Sequence, residues 1–286
     1  TVTEGCTLEA RHAGECDTTV VKSNGTAFGA NTIEGLSGAG TEKDPYIIAK
    51  TDNFARIPAN TTAYFKQTAA LDLSVVSTEG RKAYIAGTFS GIYDGNNYAI
   101  TGAVLPLFNY IKGTDGADAQ VKNINLTSNV GTAEAAYQAD NLTIAESAKP
   151  PEASGAGLVA NYAHRAVFND CVISGTLYAS GNAGVGTLVG HSGTITVSNC
   201  KSDADITSAS YSVGGLVGFC QQGSWSNAFG AIEGCSISDS TYSGTLTVSD
   251  SARGQNPIYG GVIGVVSSAK TTSTARVTNC SFTGKM

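Results

Sequence analysis

The feature that most narrows what this chain can become is a phrase that keeps returning. It reads Val213-Gly214-Gly215-Leu216-Val217-Gly218, with echoes at Gly157-Leu158-Val159, Gly186-Thr187-Leu188-Val189-Gly190 and Gly260-Gly261-Val262-Ile263-Gly264. Each echo is followed by a second recurring stretch that ends in cysteine: Val167-Phe168-Asn169-Asp170-Cys171, Val197-Ser198-Asn199-Cys200, Ile232-Glu233-Gly234-Cys235 and Val277-Thr278-Asn279-Cys280. Short apolar strands repeating every few tens of residues predict coils stacked along one axis, each burying its apolar side against its neighbours.

The registers of these stretches agree. The residue before each cysteine is Asp170, Asn199, Gly234 or Asn279, all of types that tolerate positive φ, so the chain is expected to bend there in every coil. Three residues before each cysteine stand Phe168, Val197, Ile232 and Val277; two after stand Ile173, Ile237 and Phe282, with Ser202 the exception. Such alternation sends one set of side chains into a core. A further copy upstream, Val121-Lys122-Asn123-Ile124, puts isoleucine in the cysteine slot. A slot that accepts isoleucine is a packing slot, so Cys171, Cys200, Cys235 and Cys280 are expected as a buried ladder of thiols. A zinc ladder would need close pairs and histidine partners.

Composition supports an all-β solenoid and limits its partners. Only 14% of residues are charged while 41% are apolar, which suits many short strands and tight turns. The net charge is −6 with no basic run, against nucleic acid or an anionic membrane surface as partner. No apolar stretch approaches the ~18 residues of a membrane span. The seven cysteines are an odd number; Cys6 and Cys16 flank a short polar loop and are expected to form a local disulfide, which points to an oxidising compartment. Cys220 is expected as a buried thiol.

Residues 1–40 do not fit the repeat and carry a hairpin signal at Asn24-Gly25, so they are expected to cap the first rung. Residues 41–286 form the solenoid. Residues 132–156 leave the stack, because Pro150-Pro151 cannot sit in a parallel ladder. Further insertions are expected at residues 221–231 and 251–257. On solenoids such insertions gather on one face, the expected seat of specificity. The sequence stops at Met286 within a coil, which trimming of a longer chain would explain; the other expectation is head-to-tail stacking of a bare rung as a route to self-association.

The text from Gly38-Ala39-Gly40-Thr41-Glu42-Lys43-Asp44-Pro45 through Leu71-Asp72-Leu73-Ser74 to Tyr93-Asp94-Gly95-Asn96, taken with the later Gly-Gly-Leu-Val-Gly copies, resembles the GLUG-repeat family of secreted and surface proteins. GLUG-type coils would cover residues 104–286. The resemblance implies a right-handed parallel β-helix, the hand that the crossover rule gives independently. It implies no catalysis. Some members are surface proteases, but their His-Glu-x-x-His motif is absent here. Ala70 departs from the family pattern, which usually has an acidic residue before Leu71-Asp72.

Candidate chemistry is sparse. Asp94 looks like part of a pectinase strand, yet Asp94-Gly95 is also a turn signal; Asp203 and Asp205 have no matching carboxylate at their register in neighbouring coils. His12, His164 and His191 share no register, so no catalytic residue, cofactor or metal site is assigned. Asn24, Asn60, Asn125 and Asn141 head Asn-x-Ser/Thr triplets and are candidate glycan sites; Asn279 heads another at a tight bend. Tyr178 and Tyr242, each seven residues after a ladder cysteine, are candidates for an aromatic platform against a sugar ring. The expected function is a non-enzymatic extracellular stalk, adhesin or filament subunit on the cell surface or secreted. It would hold a glycan or protein ligand on one face, with no membrane insertion. The rival is a polysaccharide lyase or glycosidase on the same scaffold.

Overall fold

The computed structural model describes residues 20–21, 27–28, 33–114, 116–140, 154–222, 234–250, 256–268 and 274–286. It is an all-β, right-handed parallel β-helix whose strands fall into four faces, all paired parallel. The first face stacks Tyr46–Ile48, Tyr64–Gln67, Ile92–Asp94, Ala119–Lys122, Ala166–Asn169, Ile195–Ser198, Gly234–Ser238 and Thr274–Thr278. The second runs from Leu71–Asp72 through Ala99–Ala103, Asn125–Val130 and the long strand Val172–Ser180 to Ser281–Phe282. A short third face (Gly155–Ala156, Gly184–Val185, Ser212–Gly214, Ile258–Gly260) precedes the fourth, which runs from Ile85–Phe89 to Ile263–Ser268. Near the start, Val20–Val21 pairs antiparallel with Ala27–Phe28 around the Asn24-Gly25 signal.

Parallel pairing one rung at a time turns sequence alternation into vertical columns. On the first face the inward column is Tyr46, Phe65, Tyr93, Val121, Phe168, Val197, Ile237 and Val277. On the second it is Leu71, Ile100, Leu126, Ile173, Ser202, Tyr242 and Phe282. Each large apolar member hidden this way contributes about 1.5–3 kcal/mol. Toward the start of the helix the core is aromatic, with Phe65, Phe89, Phe108 and Tyr93 in ring contact at 4.9–6.0 Å. Further on it becomes aliphatic and sulfur-bearing.

Leu107, Leu158, Leu188 and Leu216 are fully buried and their segments stack, with Leu216 N–H bonded to the Val262 carbonyl at 3.0 Å. One register differs from the sequence reading. Ala160, rather than Val159, pairs with both Phe108 and Val189, so the Gly157-Leu158-Val159 copy enters one residue early.

The recurring glycines have a steric cause. The third face lies against the fourth with backbone touching backbone. A Cβ on Gly190 would strike the Ala156 amide, and one on Gly218 would strike Val185. The second glycine of each Gly-Gly pair also makes room for the core: a Cβ on Gly215 would strike the Gly261 carbonyl and the Tyr242 ring, and one on Gly261 the Phe282 ring. Those two rings stack at 5.9 Å, and Tyr242 is fully buried, donating its hydroxyl to the Ala204 carbonyl at 2.9 Å.

The bends are where they were expected for Asn123, Asp170, Asn199 and Asn279, each with φ between 51° and 53°. The seventh coil corrects the alignment. Cys235 pairs with Ile195, so Ile237 takes the column place expected of Ile232, and the bend falls at Asp239 (φ 51°). Ser240 then occupies the cysteine slot. Residues 223–233 fall between Gln222 and Gly234, and the first-face strand resumes later than the text match implied. The insertions leave at two edges of the helix rather than one face. Residues 131–154 and 249–257 separate the second face from the third, whereas 113–118 and 223–233 separate the fourth from the first. The excursion expected over 132–156 is shorter than its text: Tyr137 pairs in parallel with Ala179, and Gly155–Ala156 already belongs to the third face.

Candidate functional site

The cysteine slot is built by the bend. Positive φ at Asp170 and Asn199 turns the next side chain inward, and Cys171 and Cys200 are fully buried one above the other. A hydrogen bond to the Cys200 thiol, with burial, pushes the Cys171 thiol well above its usual range, so it is no nucleophile. Each slot residue reaches back to the carbonyl two positions earlier: Cys200 to Ser198 at 3.3 Å, Ser240 to Ser238 at 2.7 Å, Cys280 to Thr278 at 3.3 Å. The ladder is therefore Ile124, Cys171, Cys200, Ser240 and Cys280, and Cys235 is not part of it. Cys280 is only partly buried. Cys6, Cys16, Asn24, Asn141 and His12 lie outside the described residues.

The outer carboxylates are tied into turns and ladders. Asp94 stands between Lys66 and Lys122 on the first face, accepts from the Asn96 amide at 2.9 Å and from Asn123 Nδ2 at 2.8 Å, and has Lys122 Nζ at 4.0 Å. The Lys122 ammonium also lies over the Tyr64 ring, 5.4 Å from its centre. Asp205 accepts from the Thr245 amide in the coil above at 2.7 Å. Asp239 accepts from Asn279 Nδ2 at 3.1 Å, and Asp170 from Asn169. The Ser74 side chain, and then its amide, which donates to Asp72 at 3.0 Å, hold the Asp72 carboxyl below the ordinary carboxylate range.

The histidines are embedded on the fourth face. His164 Nδ1 accepts the Thr194 amide at 3.1 Å; burial, then Lys112 and Arg165, lower its pKa to about 4. His191 Nε2 meets Gln221 Oε1 at 3.2 Å, and its ring packs on Phe219. Among the described residues no three of His, Cys, Asp and Glu gather closely enough to hold a metal ion.

Of the two tyrosines expected to form a platform, Tyr242 is ruled out by its position in the inward column, where the alternation of the seventh coil places it. Tyr178 is partly exposed on the outer side of Val172–Ser180, in register with Thr207 and Thr247. Asn60 and Asn125 are exposed; the Asn60 side-chain oxygen Oδ1 accepts from the Thr88 amide. Sequence reasoning missed a groove of about 480 Å³ beside Asn60, lined by Tyr46, Thr61, Ala63, Thr88 and Ser90. Its walls come from three separate coils, and no local pattern announces it. No helix among the described residues is long and apolar enough to cross a membrane.

The chain matches no protein-family profile. Over 208 residues, 69% of the chain, it is 26% identical to an immunoglobulin A1 protease of Streptococcus sanguinis, and the match covers only 9% of that protein's length. A crystal structure of a candidate immunoglobulin A1 protease from Bacteroides ovatus superposes with a TM-score of 0.51 at 15% identity, covering 85% of this chain and 76% of that one. This likeness is one of fold.

Proposed function

We propose that this chain is a non-catalytic, extracellular β-helix of GLUG-repeat type that acts as a rigid spacer or adhesive module, with binding carried by the insertions at its two edges. The observation that carries the reading is the use made of the outer carboxylates. Asp94, Asp205 and Asp239 each accept a hydrogen bond that links neighbouring coils, and Asp170 accepts one from the adjoining Asn169. A glycosidase needs two carboxyl groups facing one another across a sugar bond, about 5–9 Å apart and free to exchange protons. Carboxylates held in turn geometry are poor candidates for that work.

The similarity to a small part of an immunoglobulin A1 protease fits a structural segment of a longer surface protein, one that carries other parts rather than cutting substrate itself. The partner is a glycan or a protein; a second copy stacked end to end is the other route to assembly. The test is direct: purified chain is incubated with immunoglobulin A1 and with a panel of polysaccharides, and products are followed by mass spectrometry. No cleavage is expected. Cleavage that disappears in Asp94→Asn would replace this reading with the enzymatic one.

A further inference from the structure

Where the fourth face passes to the first, the chain turns a corner, and parallel pairing fixes what flanks that corner in each coil. Ala163 pairs with Ser192, and Ser192 with Cys220. Across the corner, Ala166 pairs with Ile195, and Ile195 with Cys235. Only Gly193 and Thr194 separate Ser192 from Ile195. Cys220 and Cys235 therefore stand one rung above two residues that share a tight corner, although residues 221–234 lie between them and the first face resumes at Gly234–Ser238. Gln221 and Gln222 still pair with Ser267 and Ser268, and Gly234 with Thr274, so the pair stands just below the stem of the insertion at residues 223–233.

The geometry suits a covalent link. Residues i and i+3 of a tight turn have Cα atoms less than about 7 Å apart, and disulfides span Cα distances of about 4.4–6.8 Å. Both thiols are buried; the Cys220 sulfur faces the corner, 3.9 Å from the Gly193 carbonyl. The neighbouring Cys220 thiol, with burial, pushes the Cys235 thiol far above its usual range. Packing does not demand sulfur here, because the same two places hold Ala163 and Ala166 lower down and Val266 and Ala275 in the coil above. Cysteine appears at both places in the one coil where residues 221–234 intervene.

We propose that Cys220 and Cys235 form a disulfide that ties together the base of the 223–233 insertion when the chain folds in an oxidising compartment. The oxidant is an external disulfide, such as glutathione disulfide or an exchange catalyst. One cysteine thiolate attacks it, releasing one external thiol and leaving a mixed disulfide. The second cysteine thiolate attacks the protein sulfur of that intermediate, releasing the second external thiol. The two protein sulfurs are oxidised, the external disulfide is reduced to two thiols, and the two cysteine protons pass to them. In the closed coil, the Cys220 thiol and burial push the Cys235 thiol far up, so the exchange belongs to folding, before the corner is covered. Cys171 and Cys200 differ: they stand one rung apart in a single column rather than on either side of a corner, each sulfur donates to a backbone carbonyl, and they are expected to stay as thiols.

The full chain is folded in a glutathione and glutathione disulfide buffer, then unfolded in alkylating reagent without reduction. Digestion with trypsin and chymotrypsin cuts within the insertion at Trp225 or Phe229. The expected product is a peptide pair joined through Cys220 and Cys235 that separates on reduction, with Cys171 and Cys200 alkylated. A C220A/C235A variant, carrying the residue type already tolerated at Ala163 and Ala166, should keep the far-ultraviolet spectrum of the parent. Reductant should lower the melting temperature of the parent by on the order of 5–10 °C more than that of the variant. Any contribution of Cys6 and Cys16 is common to both. Recovery of Cys220 and Cys235 as alkylated thiols, or an equal response of parent and variant to reductant, overturns the proposal.

Discussion

At the scale of single residues, two positions make sharp demands. His164 is buried, bonded through Nδ1 to the Thr194 amide, and has a folded-state pKa lowered to about 4. In the unfolded chain it titrates near 6.5, so between those values the unfolded state binds a proton that the folded state refuses. The stability that neutral His164 confers is complete above about pH 6.5 and is lost as pH falls toward 4, by up to about 3 kcal/mol. In urea titrations at several pH values, His164→Asn, whose side-chain oxygen can still accept the amide, should flatten that slope. An unchanged slope would mean that another group titrates. Gly218 is the second position. A methyl group there meets the Val185 backbone rather than a movable side chain, so Gly218→Ala should cost about 2–4 kcal/mol. Thr127→Ala on the exposed side of the second face should stay within about 0.5 kcal/mol in the same denaturation series.

At the scale of elements, the repeating unit is strand, left-handed bend, strand. Asn199 holds φ 52°, where alanine pays about 1–2 kcal/mol and glycine little. Chemical denaturation should therefore rank parent and Asn199→Gly together, with Asn199→Ala clearly below. This unit was readable in the sequence because its signals are local: an apolar residue, an Asn or Asp, then the slot. What was not readable was the phase after a long corner. Residues 223–233 detach the seventh-coil strand from its expected count, so Cys235 resembled its counterparts in spelling while Ser240 did their work. The hydroxyl reaches the carbonyl two residues back just as the thiols do, and a slot defined by that bond accepts either. Tyr242 was misjudged for the same reason. Its inward direction follows from Ser240, and its room comes from Gly215, far away in the chain.

At the scale of the whole molecule, each coil contacts little beyond its neighbours, so stability should vary along the axis. In hydrogen exchange on this chain, the amides of Val189 and Val217, central in the fourth face, should outlast those of Thr274–Thr278, where Val277 is 49% exposed. Uniform protection would speak for one all-or-none unit. The two loop-bearing edges also make the molecule a ruler. Residues 131–154 and 249–257 leave one edge three coils apart, and at about 4.8 Å per rung their bases stand roughly 14 Å from one another. That interval is set by hydrogen-bond spacing and cannot be tuned by swapping side chains. A ligand gripping both loops would have to match it, and evolution could change the distance only by whole rungs.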